Sequence, residues 1–431
     1  MMGRCTMKDK ERIFKAYETI LNEELVPAMG CTEPIALAYC AAKARSVLGK
    51  RPERVLAQVS GNIIKNVKSV IVPNTNGAKG IEAAVAIGIV AGREDRLLEV
   101  LSEISDAQKE EFREYLRSTP IQVSQQKDGA LLDMSVSVWS GSSCASVRIA
   151  GEHTNIVRIT KDDEILLERV LESGMDTERE ERYGLLNVED IYCFATEAEL
   201  SQVEGVLRRQ IEYNRAAAEE GLRGDYGANI GSVLLMSGEE NVRIRAKAMA
   251  AAGSDARMNG SELPVVINSG SGNQGLTVSL PVMEYAKELG AGEEKLYRAL
   301  ALSNLIAIHL KRGIGPLSAY CGAVSAGVAA GAGIAYLKEG DYDTIAHTVV
   351  NGLAIASGMI CDGAKASCAA KIAVAVEAGL LGYDMYRNGQ QFYGGDGVVA
   401  KGVENTIRNI SWIGSRGMKE TDQEILNIMT C

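Results

Sequence analysis

Aromatic residues, histidines, long apolar runs and basic clusters are all scarce in this sequence, and each shortage excludes something. Phe, Trp and Tyr together make up 5 % of the 431 residues, so the core has to be built from Ala, Val, Ile, Leu and Met. No cluster of Lys and Arg stands out, the net charge is −10 and the pI is about 5.2, which argues against a nucleic-acid partner. The longest apolar stretch, residues 323–336, is too short to span a bilayer and reads as a buried helix. Residues 1–12 are polar and charged, unlike the apolar core of a secretion signal, so the expected compartment is the cytoplasm. With only His153, His309 and His347 present, few residues of the usual proton-transfer type are on offer.

Glycine, alanine and cysteine are what the sequence does have. Its 45 glycines exceed ordinary usage and many sit inside apolar runs, a combination suited to closely packed helices. Hydrophobic residues at 46 % and charged residues at 24 % give the balance of a globular chain, and the length predicts two or three domains. The cysteines are Cys5, Cys31, Cys40, Cys144, Cys193, Cys321, Cys361, Cys368 and Cys431. In a reducing compartment they do not build a disulfide framework, and their odd number argues against complete pairing. Cys40, Cys144 and Cys193 read as small core hydrophobes.

Along the chain, Ile13, Ala16, Tyr17, Ile20 and Leu21 fall at helical spacing and predict an amphipathic helix over 8–25. The Gly30-Cys31-Thr32-Glu33-Pro34 turn follows. Pro34 suits the first turn of a helix continuing through 36–48, which puts Cys31 or Thr32 at its N-terminus. Residues 54–60 read as a short strand, 81–92 as an Ala/Ile-rich helix and 106–118 as a charged one. From 121 to 170, β-branched and alternating segments separated by turns at Lys127-Asp128-Gly129 and Ser140-Gly141-Ser142-Ser143 predict an antiparallel meander. Helical patterning resumes at Val188. The expected class is α+β: a mostly helical body with Gly/Ala-rich central helices and an inserted antiparallel β subdomain. Its parts are 1–118, the N-terminal part of the helical body; 119–205, the insertion; and 206–431, the C-terminal helical catalytic part.

Three cysteines stand at breaks in hydrophobic helices. Cys321 ends Gly315-Pro316-Leu317-Ser318-Ala319-Tyr320-Cys321 just before the Gly/Ala helix, and Cys361 and Cys368 bracket Asp362-Gly363-Ala364-Lys365-Ala366-Ser367. Free backbone N–H groups at such breaks stabilise thiolates and hydrogen-bond cluster sulfides. The bland alternative is buried thiols at helix starts, and the spacing matches neither a ferredoxin nor a zinc ribbon. Ser269-Gly270-Ser271-Gly272-Asn273-Gln274-Gly275 offers backbone donors for a substrate carboxylate, or is a glycine-rich turn between strand and helix. Glu33 either contacts a substrate ammonium or caps its helix.

Residues 322–382, with Cys321, Ile360-Cys361-Asp362 and Cys368 ahead of an Ala-rich helix, resemble the C-terminal half of the iron–sulfur L-serine dehydratase α chain. Asn76-Gly77-Ala78-Lys79-Gly80-Ile81 is similar to a loop of that chain. Gly30-Cys31-Thr32-Glu33-Pro34, Gly61-Asn62-Ile63-Ile64-Lys65-Asn66, the Ser269–Gly275 segment and Cys361-Asp362-Gly363-Ala364-Lys365 occur in that order over nearly the whole length. Together they resemble the L-cysteine desulfidase family. The resemblance implies a PLP-independent lyase with a [4Fe–4S] cluster held by three cysteines, its remaining iron open as a Lewis acid. The desulfidase pattern implies Cys31, Cys321 and Cys361 as ligands. The dehydratase pattern implies Cys321, Cys361 and Cys368, with the C-terminal Cys431 as a candidate temporary ligand.

The implied substrate is a small amino acid, L-cysteine or L-serine. Loss of the Cα proton and the β-substituent would give aminoacrylate, then pyruvate and ammonia, with sulfide released from cysteine. The general base is expected among His153, Lys65 and Lys365, and Glu33, Ser269, Ser271, Asn273 and Gln274 are expected around the substrate. His309 and His347 lie on apolar helices and read as core or surface residues. Two further readings stand beside this one: a PLP lyase, suggested by the Ser-Gly-Asn-Gln-Gly run, and a non-catalytic amino-acid- or metal-binding protein. Neither nucleic acid nor membrane is expected as a partner, and the Gly/Ala helices would suit a homodimer.

Overall fold

The helical spacing of Ile13, Ala16, Tyr17, Ile20 and Leu21 forms the expected amphipathic helix, and all five side chains are buried. It is the first α-helix in a computed structural model that describes residues 7–126, 129–169, 177–236, 241–315, 317–338 and 340–430. The N-terminal half carries α1 (Met7–Glu24), α2 (Thr32–Leu48), α3 (Gly61–Val67), α4 (Gly80–Ala91), α5 (Asp106–Ser118), α6 (Thr177–Gly184), α7 (Val188–Glu197) and α8 (Glu204–Arg223). There follow α9 (Ile230–Leu235), α10 (Val242–Met258), α11 (Gly272–Glu288), α12 (Glu293–Arg312), α13 (Gly322–Lys338) and α14 (Tyr342–Ala356). The last helices are α15 (Cys368–Arg387), α16 (Val403–Trp412) and α17 (Lys419–Thr430). The strands are β1 (Pro27–Met29), β2 (Arg54–Ser60), β3 (Ile121–Gln126), β4 (Asp133–Ser140), β5 (Ser143–Ala150), β6 (Ile156–Lys161), β7 (Glu164–Glu168) and β8 (Pro264–Val266). No helix among the described residues is long and apolar enough to cross a membrane.

The α+β class holds, but the sheet is mixed rather than antiparallel throughout. Its order is β3-β2-β4-β5-β6-β7, and β2 runs parallel to β3, with Val55 opposite Ile121. The strand at 54–60 thus completes the meander instead of standing apart from it. A parallel pair needs a long crossover, and α3, α4 and α5 supply it. Val55, Ala57 and Val59 share the inward face with Met134, Val136, Val138, Ala145, Val147 and Ile149, all fully buried beneath α2. A short antiparallel pair, β1 with β8, joins the chain's beginning to residue 264 onward, with Ala28 opposite Val265.

Buried side chains consequently group otherwise than at residues 118 and 205. One core runs from Ala28 to Ile149 and includes α2, α4 and the sheet; the other joins 13–25 to 183–410. At the centre of the second lies α13, buried over nearly its whole length as its composition predicts. Its glycine stripe is used within the chain: a Cβ on Gly331 would sit 2.6 Å from backbone atoms of Gly379 on α15, an approach open only to glycine.

Candidate active site

A cavity of about 760 Å³ opens where the two cores meet. Helices α2, α11, α13 and α15 all begin at it, with Cys31, Ser271, Cys321 and Cys368 at or beside their first residues. The first-turn N–H groups of a helix lack intrahelical acceptors, and the aligned peptides make that end electropositive. Neither Cys31, the N-cap of α2, nor Ser367, the N-cap of α15, makes a side-chain capping bond. Anions are therefore favoured at these helix starts.

The cavity brings together all four cysteines singled out above. An antiparallel bridge between Tyr320 and Ile360 sets the chain before α13 against the α14–α15 connection. The N–H of Cys321 donates to Met359 O (3.0 Å) and that of Cys361 to Ala319 O (2.6 Å), so the two cysteines are held side by side by backbone bonds. Cys31 and Cys368 come together in a small apolar cluster with Val70, Met258 and Ala364. Burial pushes the Cys321 thiol up to about 12, with Cys361 adding to the rise. Burial raises Cys368 too, while Cys31 is lifted well above a normal thiol by burial and by the Glu33 charge, against the pull of Arg257. Such thiols keep their protons until a metal displaces them.

This donor set fits an iron–sulfur cluster. The four thiols are all unbridged. No three His, Cys, Asp or Glu groups among the described residues converge as a single ion requires. A polynuclear cluster asks instead for thiolates distributed around a larger space, with N–H donors for its sulfides, and Cys31, Cys321 and Cys368 at helix starts line one such space with Cys361 from the α14–α15 connection.

The cavity lining also carries polar groups. Glu33 accepts hydrogen bonds from Asn66 Nδ2 (2.9 Å), Thr32 Oγ1 (3.1 Å) and the Cys31 thiol (3.2 Å). Burial alone would lift its pKa, but His153 and the Cys31 thiol outweigh burial and hold the carboxyl at about 2. His153 Nε2 lies 3.9 Å from Glu33 Oε1, beyond hydrogen-bond reach, and has no hydrogen-bond partner among the described residues. The ring is set against the Ser269-Gly270 turn, where a Cβ on Gly270 would be 3.3 Å from His153 Cε1. That turn is a two-residue reversal. Asn268 and Ser271 exchange backbone bonds of 3.1 and 3.0 Å, and Ser269 and Gly270 both adopt positive φ (50° and 73°). A serine there is strained by about 1–2 kcal/mol, and the turn aims the start of α11 at the cavity. Ser271 caps α11 through Gln274 N (3.5 Å), and Gln274 Oε1 is buried without a partner among the described residues.

The two lysines named as base candidates are placed differently. Lys65 lines the cavity, is 1 % exposed and pairs with Asp422 on α17. Lys365 does not line the cavity and is held by Asp362. His309, paired with Glu404, and His347, stacked on Tyr386, lie away from it. Cys431 lies outside the described residues. Cys40 is buried in the first core, bonded to Val147 O; Cys144 and Cys193 are half-buried.

Sequence reasoning missed Arg257 and Lys311, which both line the cavity and are 4 % and 6 % exposed. For Lys311 a signal existed: it ends the apolar helix α12 and has no acidic residue within four positions on either side. Arg257 gave no such sign, because its neighbours at the site are brought in by folding.

The sequence pattern of the family described as serine dehydratase alpha chain matches residues 95–427. The chain belongs to this family. A UPF0597 protein of Desulfitobacterium hafniense is 58 % identical to it over 98 % of both chains. One from Lachnoclostridium phytofermentans is 48 % identical over 97 % of this chain and 100 % of its own, and one from Finegoldia magna 48 % over 96 % and 99 %. The chain is thus serine dehydratase-like over residues 95–427, which include Cys321, Cys361 and Cys368.

Proposed function

We propose that the chain is an iron–sulfur lyase that removes the Cα proton and the β-substituent of a small L-amino acid, with L-cysteine as substrate and L-serine as the close alternative. The observation that carries this reading is the shared cavity, lined by Cys31, Cys321, Cys361 and Cys368 together with His153, Glu33 and residues of the Ser269–Gln274 segment. Cys321 and Cys361, with Cys368 or Cys31 as the third, would hold a [4Fe–4S] cluster, which supplies a Lewis-acidic iron for the departing sulfur or oxygen.

The chain's own groups do the rest. Glu33, kept ionised, pairs with the substrate ammonium. The N–H groups at the start of α11 and the hydroxyls of Ser269 and Ser271 receive the carboxylate. His153, which lines the cavity and whose Nε2 has no hydrogen-bond partner among the described residues, takes the Cα proton, and the Glu33 carboxylate stabilises the imidazolium that results. Loss of HS⁻ or HO⁻ from Cβ leaves aminoacrylate, which tautomerises to an imine and adds water to give pyruvate and ammonia.

Anaerobic purification followed by iron and sulfide analysis and turnover of L-cysteine and L-serine tests this. A brown protein absorbing broadly near ~400 nm with about four irons per chain is expected, releasing pyruvate and sulfide from cysteine. A colourless, iron-free protein after anaerobic reconstitution would sink the cluster, and a borohydride-reducible yellow chromophore would replace it with PLP.

A further inference from the structure

A buried guanidinium without a counter-ion marks a ligand site. Arg257 sits at the end of α10, 4 % exposed, and no carboxylate of the described residues lies in ion-pair range of it. Its Nη1 donates to Asn273 Oδ1 (3.0 Å), while its Nε has no partner among the described residues. Isolating such a charge from water is costly unless an anion meets it. The side chain is wedged against the first residue of α11, where a Cβ on Gly272 would fall 2.1 Å from Nε. Glycine at 272 therefore makes room for the guanidinium beside the N–H groups of that helix start.

From this juxtaposition we infer that Arg257 is a substrate-binding residue, its guanidinium pairing with the α-carboxylate of the amino acid at the N-terminus of α11. Three donors then converge on one carboxylate: the fork of Arg257, the first-turn N–H groups of α11 and the Ser271 hydroxyl. Asn273 fixes the fork's plane through Nη1. A planar two-point contact of this kind selects a carboxylate over an amide or an alcohol and orients the Cα–H bond. The alternative counter-ion is a thiolate at Cys31 or Cys368, both near enough to feel Arg257's charge. Those thiols are hydrogen-bonded elsewhere, Cys31 to Glu33 and Cys368 to Gly363 O, whereas the hydrogen bond of Arg257 to Asn273 ties it to the start of α11.

The inference rests on the lyase reading in that its ligand is an α-amino acid. The test is calorimetric titration of anaerobically purified protein with L-alanine, which has no β leaving group, and with L-alaninamide, which has no carboxylate. In Arg257→Gln, L-alanine should bind about 10- to 150-fold more weakly, as expected for loss of a hydrogen-bonded charge. L-Alaninamide affinity and iron content should match those of the unaltered protein. Arg257→Lys, which keeps the charge but not the fork, should show a smaller loss for L-alanine alone, and it serves if the glutamine variant does not fold. Unchanged L-alanine affinity in both variants overturns the inference. So does equal loss of both ligands, which marks a structural role, or loss of iron with L-alanine affinity intact, which moves the counter-ion to the thiolates. Unaltered protein that binds neither L-alanine nor L-cysteine overturns the amino-acid reading itself, a result that does not depend on Arg257.

Discussion

Replacing Lys311 by methionine should remove a pH dependence of stability whose size the structure sets. The ammonium is 6 % exposed at the end of α12, bonded to Gly315 O, with no carboxylate in ion-pair range among the described residues. Burial pushes its pKa from 10.5 down to about 8, opposed by Cys361 and Cys321 and reinforced by Lys65. At about 1.4 kcal/mol for each pH unit, that gap amounts to about 3 kcal/mol. The sign follows from proton counting. Below pH 8 both folded and unfolded chains carry the proton, and the folded chain bears the full cost of the buried charge. Between pH 8 and 10.5 the folded chain has released the proton while the unfolded chain still binds it, so stability rises with pH; above 10.5 it levels. The Lys311→Met protein lacks this slope. Loss of the bond to Gly315 O costs it about 1–3 kcal/mol, a pH-independent offset. Urea unfolding of both apoproteins from pH 7 to 10.5 reads the lysine with the groups coupled to it, since titrations independent of Lys311 cancel in the difference. The unaltered protein should gain about 3 kcal/mol relative to the variant across that range. A flat difference would refute the placement of Lys311 as an uncompensated buried cation. In cluster-loaded protein the slope should shrink, because an anionic cluster in the cavity compensates the ammonium.

Cys321→Ser and Cys361→Ser should each lose iron and sulfide release together, measured on anaerobically reconstituted protein. In the same assay, whichever of Cys31→Ser and Cys368→Ser loses its iron identifies the third ligand. His153→Ala should keep its iron but lose about 10²–10⁴-fold in kcat; wild-type turnover would take His153 out of proton transfer. Gly363→Ala should lower the unfolding midpoint by several degrees, because Gly363 has φ +94° and an added Cβ would lie 2.2 Å from Lys65 O. An unchanged midpoint would mean that the α14–α15 connection moves freely against α3.

Local structure was the legible part. The strand at 54–60 and the helix at 106–118 carry their own periodicity, and Pro34 fixes the start of α2 within the turn that bears Cys31. The partner of a strand is not written locally, however. Val55, Ala57 and Val59 alternate identically whether β2 pairs with a hairpin neighbour or, as here, in parallel with residues 121–126 across three helices. The site divides in the same way. Cysteines and the glycine-rich turn are conspicuous as types, so they could be singled out before folding. What a lysine is paired with depends on what folding places beside it, and nothing near Lys65 in sequence announces Asp422, 357 positions away. Arg257 belongs to this second kind.

The division of the cavity between the cores bears on the open choice of ligand. Glu33, Lys65 and His153 belong to elements of the first core, whereas Arg257, Ser271, Lys311, Cys321, Cys361 and Cys368 come from the second. Cys31 and Val70 meet Met258, Ala364 and Cys368 in the small cluster on the seam. A cluster on Cys321, Cys361 and Cys368 would leave every ligand on one side, with the acid–base groups free to approach or withdraw with the other. A cluster on Cys31, Cys321 and Cys361 would cross-link the two cores, and metal binding would then be partly folding energy for their association. The two ligand sets thus differ in a property besides activity. With Cys31 as ligand, iron removal should expose amides at the seam, in α2 and at the start of α11, to hydrogen exchange. With Cys368 as ligand, the loss of protection should stay within the α14–α15 connection and the start of α13. Hydrogen exchange before and after chelation, read at those four segments, decides between them without reference to turnover.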